Sequence, residues 1–356
     1  MKRTLAYCLI LTLYFYSCSR DDSSTSPPVI PVVTGPDTTL YKMLPFPMGA
    51  AVSASLLKTN AKYSDVVKKE FNSITAENAM KFAAVHASES SFNFTDADNI
   101  VSFAQANGQR VHGHVLNWHQ SLPSWVTNFS GDSTAWENLL KTHIQTVVTH
   151  FKGKIVSWDV VNELFEDDGQ IRNSIWVQKL GADYIARCFI YAHEADKDAL
   201  LFYNDYGQEY SAAKRTSIII LVMALKNRGI PIHGIGLQFH TSYNQSDANI
   251  SAAISTAAAT GLKVHISELD VRVNVNKQPA FVFTTTLAEQ QAAKYKFIVK
   301  TYKAIPASQQ YGITTWNVGD ADSWIPAWQN APDFPLPFDG NYFRKPAYAG
   351  IIEGAK

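Results

Sequence analysis

The stretch I-V-S-W-D-V-V-N-E, residues Ile155–Glu163, decides the fold of this chain. Its β-branched residues predict a buried strand, which ends abruptly in the polar residues Asn162 and Glu163. A carboxylate at the carboxyl end of a buried strand lies where α/β folds place their chemistry. The alternative is a strand whose polar end simply meets water. A second apolar strand that ends in carboxylates, V-H-I-S-E-L-D at Val264–Asp270, favours a paired site.

Strand-like and helix-like segments alternate from about Leu40 to the end of the chain. The predicted strands are Met48–Ser53, Asn72–Thr75, Arg110–Leu116, Ile155–Val161, Ala199–Tyr203, Ile235–Phe239, Lys263–Ser267 and Gly312–Trp316. The helical patterns are Tyr63–Glu70, Asp96–Asn107, Ala135–His150, Ala182–Ala195, Ala212–Asn227, Ala248–Ala259 and Leu287–Ala304. This alternation predicts the α/β class and a single (β/α)8 TIM barrel, with the active site at the carboxyl ends of the strands. A doubly wound sheet would need a Gly-rich phosphate turn after the first strand, and Ala50–Ser53 offers none.

The N-terminal segment predicts export. Lys2 and Arg3 precede an apolar run, Leu5–Tyr16, which is too short to remain as a membrane-spanning helix. The run ends at Ser17-Cys18, which resembles a bacterial lipoprotein signal. We therefore expect residues 1–18 to be a signal peptide cleaved before Cys18, with lipid attached to Cys18 and the protein held on the outer membrane or cell surface.

An ordinary secretory peptide, which would give a secreted or periplasmic protein, is the alternative because Phe15 and Tyr16 are bulkier than the residues that usually precede a lipidated cysteine. Residues 19–40, rich in Ser, Thr, Pro and Asp, predict a flexible linker. Residues 41–356 then form the barrel domain.

Composition excludes several classes of protein. With 46% hydrophobic and 17% charged residues in a chain of 356, a large core is expected and general disorder is not. Lys plus Arg and Asp plus Glu both total 31, so no basic excess points to nucleic acid. The cysteines Cys8, Cys18 and Cys188 offer neither zinc spacing nor a disulfide framework. Cys188 lies at helical spacing from Ile185 and Phe189 and is interpreted as a buried apolar residue, not a catalytic thiol.

Polar and aromatic side chains follow the carboxyl ends of seven of the predicted strands. They are Glu77, Asn78 and Lys81; His114, Trp118 and His119; Asn162 and Glu163; Asn204, Asp205 and Tyr206; Gln238 and His240; Glu268 and Asp270; and Trp316, Asn317 and Trp324. Because these ends meet at one mouth of a barrel, the pattern predicts a polar, tryptophan-lined cleft. Two carboxylates flanking such a cleft can cleave a glycosidic bond. One protonates the leaving oxygen, and the other attacks the anomeric carbon or activates water.

Metal and serine chemistry fit the sequence less well. His112 and His114 lie two apart on one strand and could chelate an ion, but no third ligand is fixed beside them. The chain contains no G-x-S-x-G elbow. We therefore expect neither a metal nor a cofactor.

These motifs resemble the glycoside hydrolase family 10 endo-β-1,4-xylanases over nearly the whole chain, from about Met48 to Ile352. The resemblance is carried by F-N-S-I-T-A-E-N-A-M-K at Phe71–Lys81, G-H-V-L-N-W-H at Gly113–His119, W-D-V-V-N-E at Trp158–Glu163, Y-N-D-Y at Tyr203–Tyr206, G-I-G-L-Q-F-H at Gly234–His240, I-S-E-L-D at Ile266–Asp270 and D-S-W at Asp322–Trp324. It implies hydrolysis of internal bonds of xylan with retention of configuration. We expect the catalytic domain to be monomeric.

The resemblance also implies residue roles. Glu163 matches the general acid/base and Glu268 the nucleophile, and we expect their carboxyl groups to lie about 5–5.5 Å apart. Asn162 would bind the 2-hydroxyl of the sugar under attack, while His240 and Asp270 would orient Glu268 and keep it ionised. The predicted substrate-binding residues are Glu77, Asn78, Lys81, His114, Trp118, His119, Tyr206, Gln238, Trp316 and Trp324.

The chain departs from the family pattern at W-H-Q-S, Trp118–Ser121, where Trp-His-Ser-Gln or Trp-His-Asn-Gln is usual. Asn117 also replaces a usually apolar residue, and His112 a common arginine. Since a shift of one residue in an extended segment turns the side chain to the opposite face, we expect Gln120 to point away from the cleft. Ser121 should then fall short of the sugar.

Two other functions fit the same cleft. The first is a glycan-binding lipoprotein without activity, which is disfavoured because both glutamates and the pair His240–Asp270 are present. The second is a barrel glycosidase for another β-1,4-glucan such as cellulose. Release of reducing ends tests the first, and comparison of xylan with carboxymethylcellulose tests the second.

Overall fold

Parallel strands form a closed ring at the centre of the computed structural model, which describes residues 38–356. Cys8, Cys18, the predicted signal peptide and residues 19–37 of the predicted linker lie outside the described residues. The strands are β1 Met48–Val52, β2 Ser73–Ala76, β3 Arg110–Gly113, β4 Ser157–Asn162, β5 Leu200–Asp205, β6 Gly234–Leu237, β7 His240–Ser242, β8 Lys263–Arg272 and β9 Gln310–Thr315. Pairing of β6 with β8 closes the ring, and the short β7 lies beside the end of β8. The predicted TIM barrel is confirmed.

Helices surround the barrel. They are α1 Leu40–Met43, α2 Ala54–Thr59, α3 Ala61–Glu70, α4 Phe82–Val85, α5 Thr95–Ala106, α6 Ser124–Thr127, α7 Ser133–His150, α8 Ile175–Leu180, α9 Tyr184–Ala195, α10 Ala212–Asn227, α11 Asp247–Ala259, α12 Thr285–Lys303, α13 Ile325–Gln329 and α14 Pro346–Ala355, with single 3-10 turns at Ala307–Gln309 and Asp320–Asp322. Every predicted helix is present, with ends within two residues of those expected. The short helices and α14 were not predicted.

Helix α14 was missed because Gly350 and Gly354 lower helical propensity. The structure gives the reason for the first of them. A Cβ atom on Gly350 would lie 2.2 Å from the carbonyl oxygen of Ala292 on α12, so only glycine lets the two helices approach this closely.

Two strands end three or more residues from their predicted ends, and the short β7 was not predicted. Strand β3 ends at Gly113 instead of Leu116, and beyond it the wall continues as a single bridge between Asn117 and Val161. Strand β8 runs five residues past Ser267 because β7 pairs with its end, His240 lying opposite Asp270. This extension matters because it carries the second carboxylate pair into the mouth of the barrel.

The outer helices begin with side-chain caps and bury one face. Asp132, Ser211 and Thr284 each accept a hydrogen bond from the N–H group three residues further on, which satisfies a donor that the helix leaves free. Cys188 of α9 is fully buried, as expected for a small apolar residue, and burial raises the pKa of its thiol. Within residues 38–356, no helix is both long enough and apolar enough to cross a membrane.

The described chain begins at the amino-terminal end of the barrel. The N–H of Leu40 donates to the carboxylate of Glu70 at 2.9 Å, and Arg344 donates to the same carboxylate at 2.7 Å and to the carbonyl of Thr38 at 2.8 Å. The hydroxyl of Tyr348 also donates to Thr38, at 2.9 Å. Leu40 is fully buried, which contributes about 1.5–3 kcal/mol to folding. The folded domain therefore starts before residue 41, the expected boundary.

Candidate active site

Glu163 stands at the carboxyl end of β4, where the backbone turns into the left-handed region with φ at 56°. Its Oε2 accepts a hydrogen bond from the indole Nε1 of Trp118 at 2.9 Å. Its Oε1 accepts from Nε2 of Gln238 at 3.1 Å and from Nδ2 of Asn162 at 3.3 Å. The carboxyl group is half-buried, and its three donors are all uncharged.

Arg172 fixes the chain that follows Glu163. Its Nε donates to the carbonyl of Glu163 at 3.2 Å, and its Nη2 donates to the hydroxyl of Tyr206 at 3.0 Å. Glu166 pairs with the same guanidinium at 2.8 Å. Arg172 was not predicted as a site residue, although an arginine four residues after the acidic run Glu166–Asp168 indicates such an ion pair.

Glu268, on the extended strand β8, is only 4% exposed. Its Oε1 accepts from Nδ2 of Asn204 at 2.8 Å, and its Oε2 lies 3.2 Å from Nε2 of His240. Nδ1 of His240 lies 2.7 Å from Oδ2 of Asp270, which also accepts from Nε1 of Trp324 at 3.1 Å. The predicted chain from Asp270 through His240 to Glu268 is thus present in the geometry.

The charges in this chain keep Glu268 ionised. Burial alone would raise the pKa of Glu268, but the hydrogen bond from His240 and the charges of His114 and His240 outweigh it, so this pKa lies below its usual range. Burial would likewise lower the pKa of His240, yet Asp270 and Glu268 raise it to about 10. An imidazolium between two carboxylates therefore persists at neutral pH. A carboxylate prepared in this way can act as a nucleophile.

A row of amides joins the two glutamates. Nδ2 of Asn204 donates to Oδ1 of Asn162 at 3.0 Å as well as to Glu268, and Nε2 of Gln238 donates to Oδ1 of Asn162 at 3.1 Å. A Cβ atom on Gly236 of β6 would lie 2.1 Å from Oδ1 of Asn204, so glycine is required beside this row. Because Oδ1 of Asn162 accepts both bonds, its Nδ2 is oriented toward Glu163 and the cleft.

Lys81 lies between two tryptophans in the cleft. Its Nζ is 5.2 Å from the ring centroid of Trp118 and 5.8 Å from that of Trp316, and it donates to Oδ1 of Asn78 at 2.8 Å. Burial lowers the pKa of Lys81 against the attraction of Glu268 and Glu77. Flat indole faces beside polar donors suit a sugar ring, which has an apolar face and a rim of hydroxyl groups.

The two histidines weighed as metal ligands face a carboxylate instead. Nε2 of His112 lies 3.1 Å from Oδ1 of Asp159, and Nδ1 of His114 lies 2.9 Å from Oδ2 of the same residue. Although burial would raise the pKa of Asp159, these histidines hold it well below its usual range. Among residues 38–356, no group of three His, Cys, Asp or Glu side chains is placed to hold a metal ion.

The structure brings most of the predicted site residues into one cleft of about 750 Å³. Its predicted members are Glu77, Asn78, Lys81, His114, Trp118, Asn162, Glu163, Tyr206, Gln238, His240, Glu268, Trp316 and Trp324. Further lining residues that were not predicted are Gln120, Asp167, Arg172, Tyr210, Arg272, Ile325 and Trp328. His119 does not line the cleft; its ring lies edge-on to Trp118, with centroids 5.7 Å apart.

The expectation that Gln120 points away from the cleft is wrong. Gln120 lines the cleft, whereas Ser121 does not. The strict alternation assumed for this segment fails because Ser121 adopts a left-handed backbone, with φ at 52°. The carbonyl of Ser121 accepts the N–H of Ala83 at 2.8 Å, which ties the turn to α4.

Known proteins share this architecture. The model of glycosyl hydrolase family 10 matches residues 38–354. Endo-1,4-beta-xylanase A of Cellvibrio japonicus is 40% identical over 346 residues, which cover 88% of this chain and 56% of that protein. Exoglucanase XynX of Acetivibrio thermocellus is 39% identical over 325 residues, covering 87% of this chain and 29% of that protein.

Solved structures agree with these relatives. Xylanase 10B of Thermotoga petrophila RKU-1 in complex with xylobiose superposes with a TM-score of 0.84 at 35% identity, covering 89% of this chain and 97% of that one. The chain spans only 29% and 56% of the two curated relatives named above. The family match extends over nearly all described residues, and the chain therefore belongs to glycosyl hydrolase family 10.

Proposed function

We propose that this protein is a retaining endo-1,4-β-xylanase, which hydrolyses internal xylosidic bonds of xylan. The observation that carries the proposal is the contrast between two glutamates in one cleft. Glu268 is buried and held by the His240–Asp270 chain, whereas Glu163 is half-buried among neutral donors. Retaining hydrolysis needs such a division, because one carboxylate attacks while the other exchanges a proton.

The geometry supports the following sequence of steps. A carboxylate oxygen of Glu268 attacks the anomeric carbon, the bond from that carbon to the leaving oxygen breaks, and Glu163 gives its proton to the leaving oxygen. Glu163, now a carboxylate, takes a proton from water. The resulting hydroxide oxygen attacks the same carbon, the ester bond to Glu268 breaks, and the sugar leaves with its original configuration.

Neighbouring groups would assist both steps. Nδ2 of Asn162, oriented by Asn204 and Gln238, would donate to the 2-hydroxyl of the sugar under attack. Trp316 and Trp324 would hold that sugar by stacking, with Glu77, Asn78 and Lys81 binding its neighbour. Xylobiose in the complex of the Thermotoga petrophila relative supports xylose chains as the substrate class.

Linear xylan is the substrate for the decisive experiment. We expect new reducing ends, and a first product with retained anomeric configuration by proton NMR. Glu268→Gln, which keeps the shape of the side chain, is the matched inactive control. An inverted first product would contradict the retaining assignment, and no reducing ends at all would favour the inactive glycan-binding alternative.

Hydrolysis of a β-1,4-glucan is the second candidate, since one relative bears the name exoglucanase. Initial rates on soluble xylan and on carboxymethylcellulose distinguish the two. We expect xylan to be preferred because Trp316 and Trp324 line the cleft and would disfavour a sugar bearing a hydroxymethyl group. A higher rate on the cellulose derivative would replace the proposed substrate.

We also propose that Cys18 carries lipid and attaches a monomeric enzyme to the outer membrane or cell surface. The basic start, the apolar run and Ser17-Cys18 support this, and all lie outside the described residues. Firm attachment needs more than one acyl chain. The full-length protein should partition into the detergent phase of Triton X-114, and Cys18→Ala should move it to the aqueous phase. Aqueous partition of both would leave a secreted or periplasmic enzyme.

A further inference from the structure

A cluster of two cations and a tryptophan lies at one edge of the cleft, among residues with no part in the proposed reaction. It consists of Arg272, Lys277 and Trp328. Arg272 is the last residue of β8 and Trp328 belongs to α13, and both line the cleft. Lys277 lies in the loop that follows β8 and is exposed.

Both cations lie against the same indole ring. Nζ of Lys277 is 4.7 Å from the ring centroid of Trp328, and the guanidinium carbon of Arg272 is 5.5 Å from it. The tryptophan is 55% exposed, and its ring is tilted by 48° to Trp324 with the centroids 5.4 Å apart. Cation–π attraction holds the two charges near the ring but leaves their N–H donors available.

No acid neutralises these two charges within residues 38–356. No side-chain hydrogen bond or ion pair of Arg272 or Lys277 occurs in that part of the chain. Arg172, which also lines the cleft, is by contrast paired with Glu166 at 2.8 Å. The cluster therefore presents surplus positive charge beside a partly exposed indole ring.

The loop that presents Lys277 is held in a fixed shape. Lys277 has φ at 54°, a conformation that favours glycine, and its N–H donates to the carbonyl of Asn274 at 3.1 Å. Oδ1 of Asn274, which is 1% exposed, accepts the N–H of Gln278 at 2.8 Å. The N–H of Asn274 in turn donates to Asp333 at 3.1 Å. The buried Asn274 thus fixes the backbone of the turn that carries Lys277.

The cluster lies away from the bond that would be cleaved. Arg272 follows Glu268 by four residues on β8, which corresponds to about 13 Å along the strand. That distance exceeds the length of one sugar ring, so the cluster lies outside the position of the sugar under attack.

We propose that Arg272, Lys277 and Trp328 recognise a uronic acid branch on the xylan chain. This inference rests on the proposed xylanase function and names the class of decorated substrate. The exposed part of the indole contacts the branch sugar, while the guanidinium and the ammonium pair with the carboxylate of that sugar. A neutral branch of similar size uses the ring but gains nothing from the charges.

The test compares two xylo-oligosaccharides with the same backbone, one carrying a single glucuronic acid branch and one without it. We expect Lys277→Glu to lower the ratio of their kcat/KM values, decorated over plain, by about tenfold at low salt. Lys300→Glu, an exposed site on α12, makes the same change in net charge and serves as the matched control. In the wild type, the ratio should fall when ionic strength rises from about 0.01 M to 1 M.

Lys277→Gly provides a second variant that removes the charge while suiting the left-handed backbone, so it guards against misfolding. It should lower the ratio in the same direction as Lys277→Glu and by a smaller factor. Ratios in both variants equal to that of Lys300→Glu, with the plain chain still cleaved, would overturn recognition of the branch and leave the xylanase function standing. Failure of the wild type to cleave either chain would instead overturn the proposed function.

Discussion

The two glutamates of the cleft have the same side chain, yet the protein surrounds their carboxyl groups differently. Glu268 is buried and contacts an imidazolium that is itself held by Asp270. Glu163 is half-buried, and its hydrogen-bond donors are an indole and two amides. Charge fixed beside Glu268 favours the ionised form of its carboxyl group, whereas the donors to the Glu163 carboxyl group carry no charge. The surroundings of the two carboxyl groups, and not the residue type, therefore distinguish Glu268 from Glu163.

Of the substitutions that test the difference between the two glutamates, Glu268→Gln should lower activity most. An amide cannot form the covalent intermediate, so we expect kcat to fall by about 10⁴-fold or more on every substrate. Rates on xylan and on an aryl xylobioside with a good leaving group provide the measurement. Substantial activity on either substrate would show that another group attacks the sugar.

Glu163→Ala should have an effect that depends on the leaving group. On xylan we expect a loss of about 10²–10⁴-fold, because the leaving oxygen must be protonated. On an aryl xylobioside with a good leaving group, the first step should be nearly spared and appear as a burst of released phenol. Equal losses for Glu163→Ala and Glu268→Gln on that substrate would remove the basis for assigning the two roles.

Asp270→Asn should reduce the difference between the two glutamates without removing it, because it acts on Glu268 through His240. Burial opposes the charge on His240, and Asp270 is the main group that raises its pKa, so the substitution should let His240 lose its proton nearer neutrality. Without that charge the pKa of Glu268 rises, and the acidic limb of the kcat/KM profile should move to higher pH by about one unit, or about 1.4 kcal/mol. Rate profiles between pH 3 and 8 measure the shift. An unmoved limb would mean that His240 does not set the ionisation of Glu268.

Gln120→Ala should give the smallest effect and tests a contact outside the two glutamates. Because Gln120 lines the cleft, loss of one hydrogen bond to sugar should cost about 0.5–1.5 kcal/mol, a two- to tenfold fall in kcat/KM on xylo-oligosaccharides. Ser121→Ala is the matched control, since Ser121 does not line the cleft and its bond to Ala83 uses only the backbone. Equal values for the two variants would mean that Gln120 does not contact the substrate.

The barrel could be predicted from the sequence because its strands are short apolar runs between amphipathic helices. The main site residues could be predicted for a related reason. Glu163 directly follows β4, Glu268 follows the apolar start of β8, and parallel strands in a closed ring bring their carboxyl ends together. No knowledge of loop geometry is needed to place them at one mouth.

The residues that escaped prediction lie on irregular segments. The backbone at Ser121 is left-handed, and a serine does not indicate this conformation. The side chain of Gln120 was therefore predicted to point in the wrong direction. Arg172 and Trp328 reach the cleft from a loop and from the short helix α13, at positions that strand periodicity does not address. Local patterns determine which face a side chain takes within an element, but not where a loop returns.

The contact of Thr38 with Arg344 and Tyr348 determines where the first described residue lies on the domain. Glu70, which shares this contact, ends the helix just before β2, so Thr38 lies at the end of the barrel opposite the cleft. A long polymer that lies across the mouth is therefore kept clear of Thr38 by the full depth of the barrel.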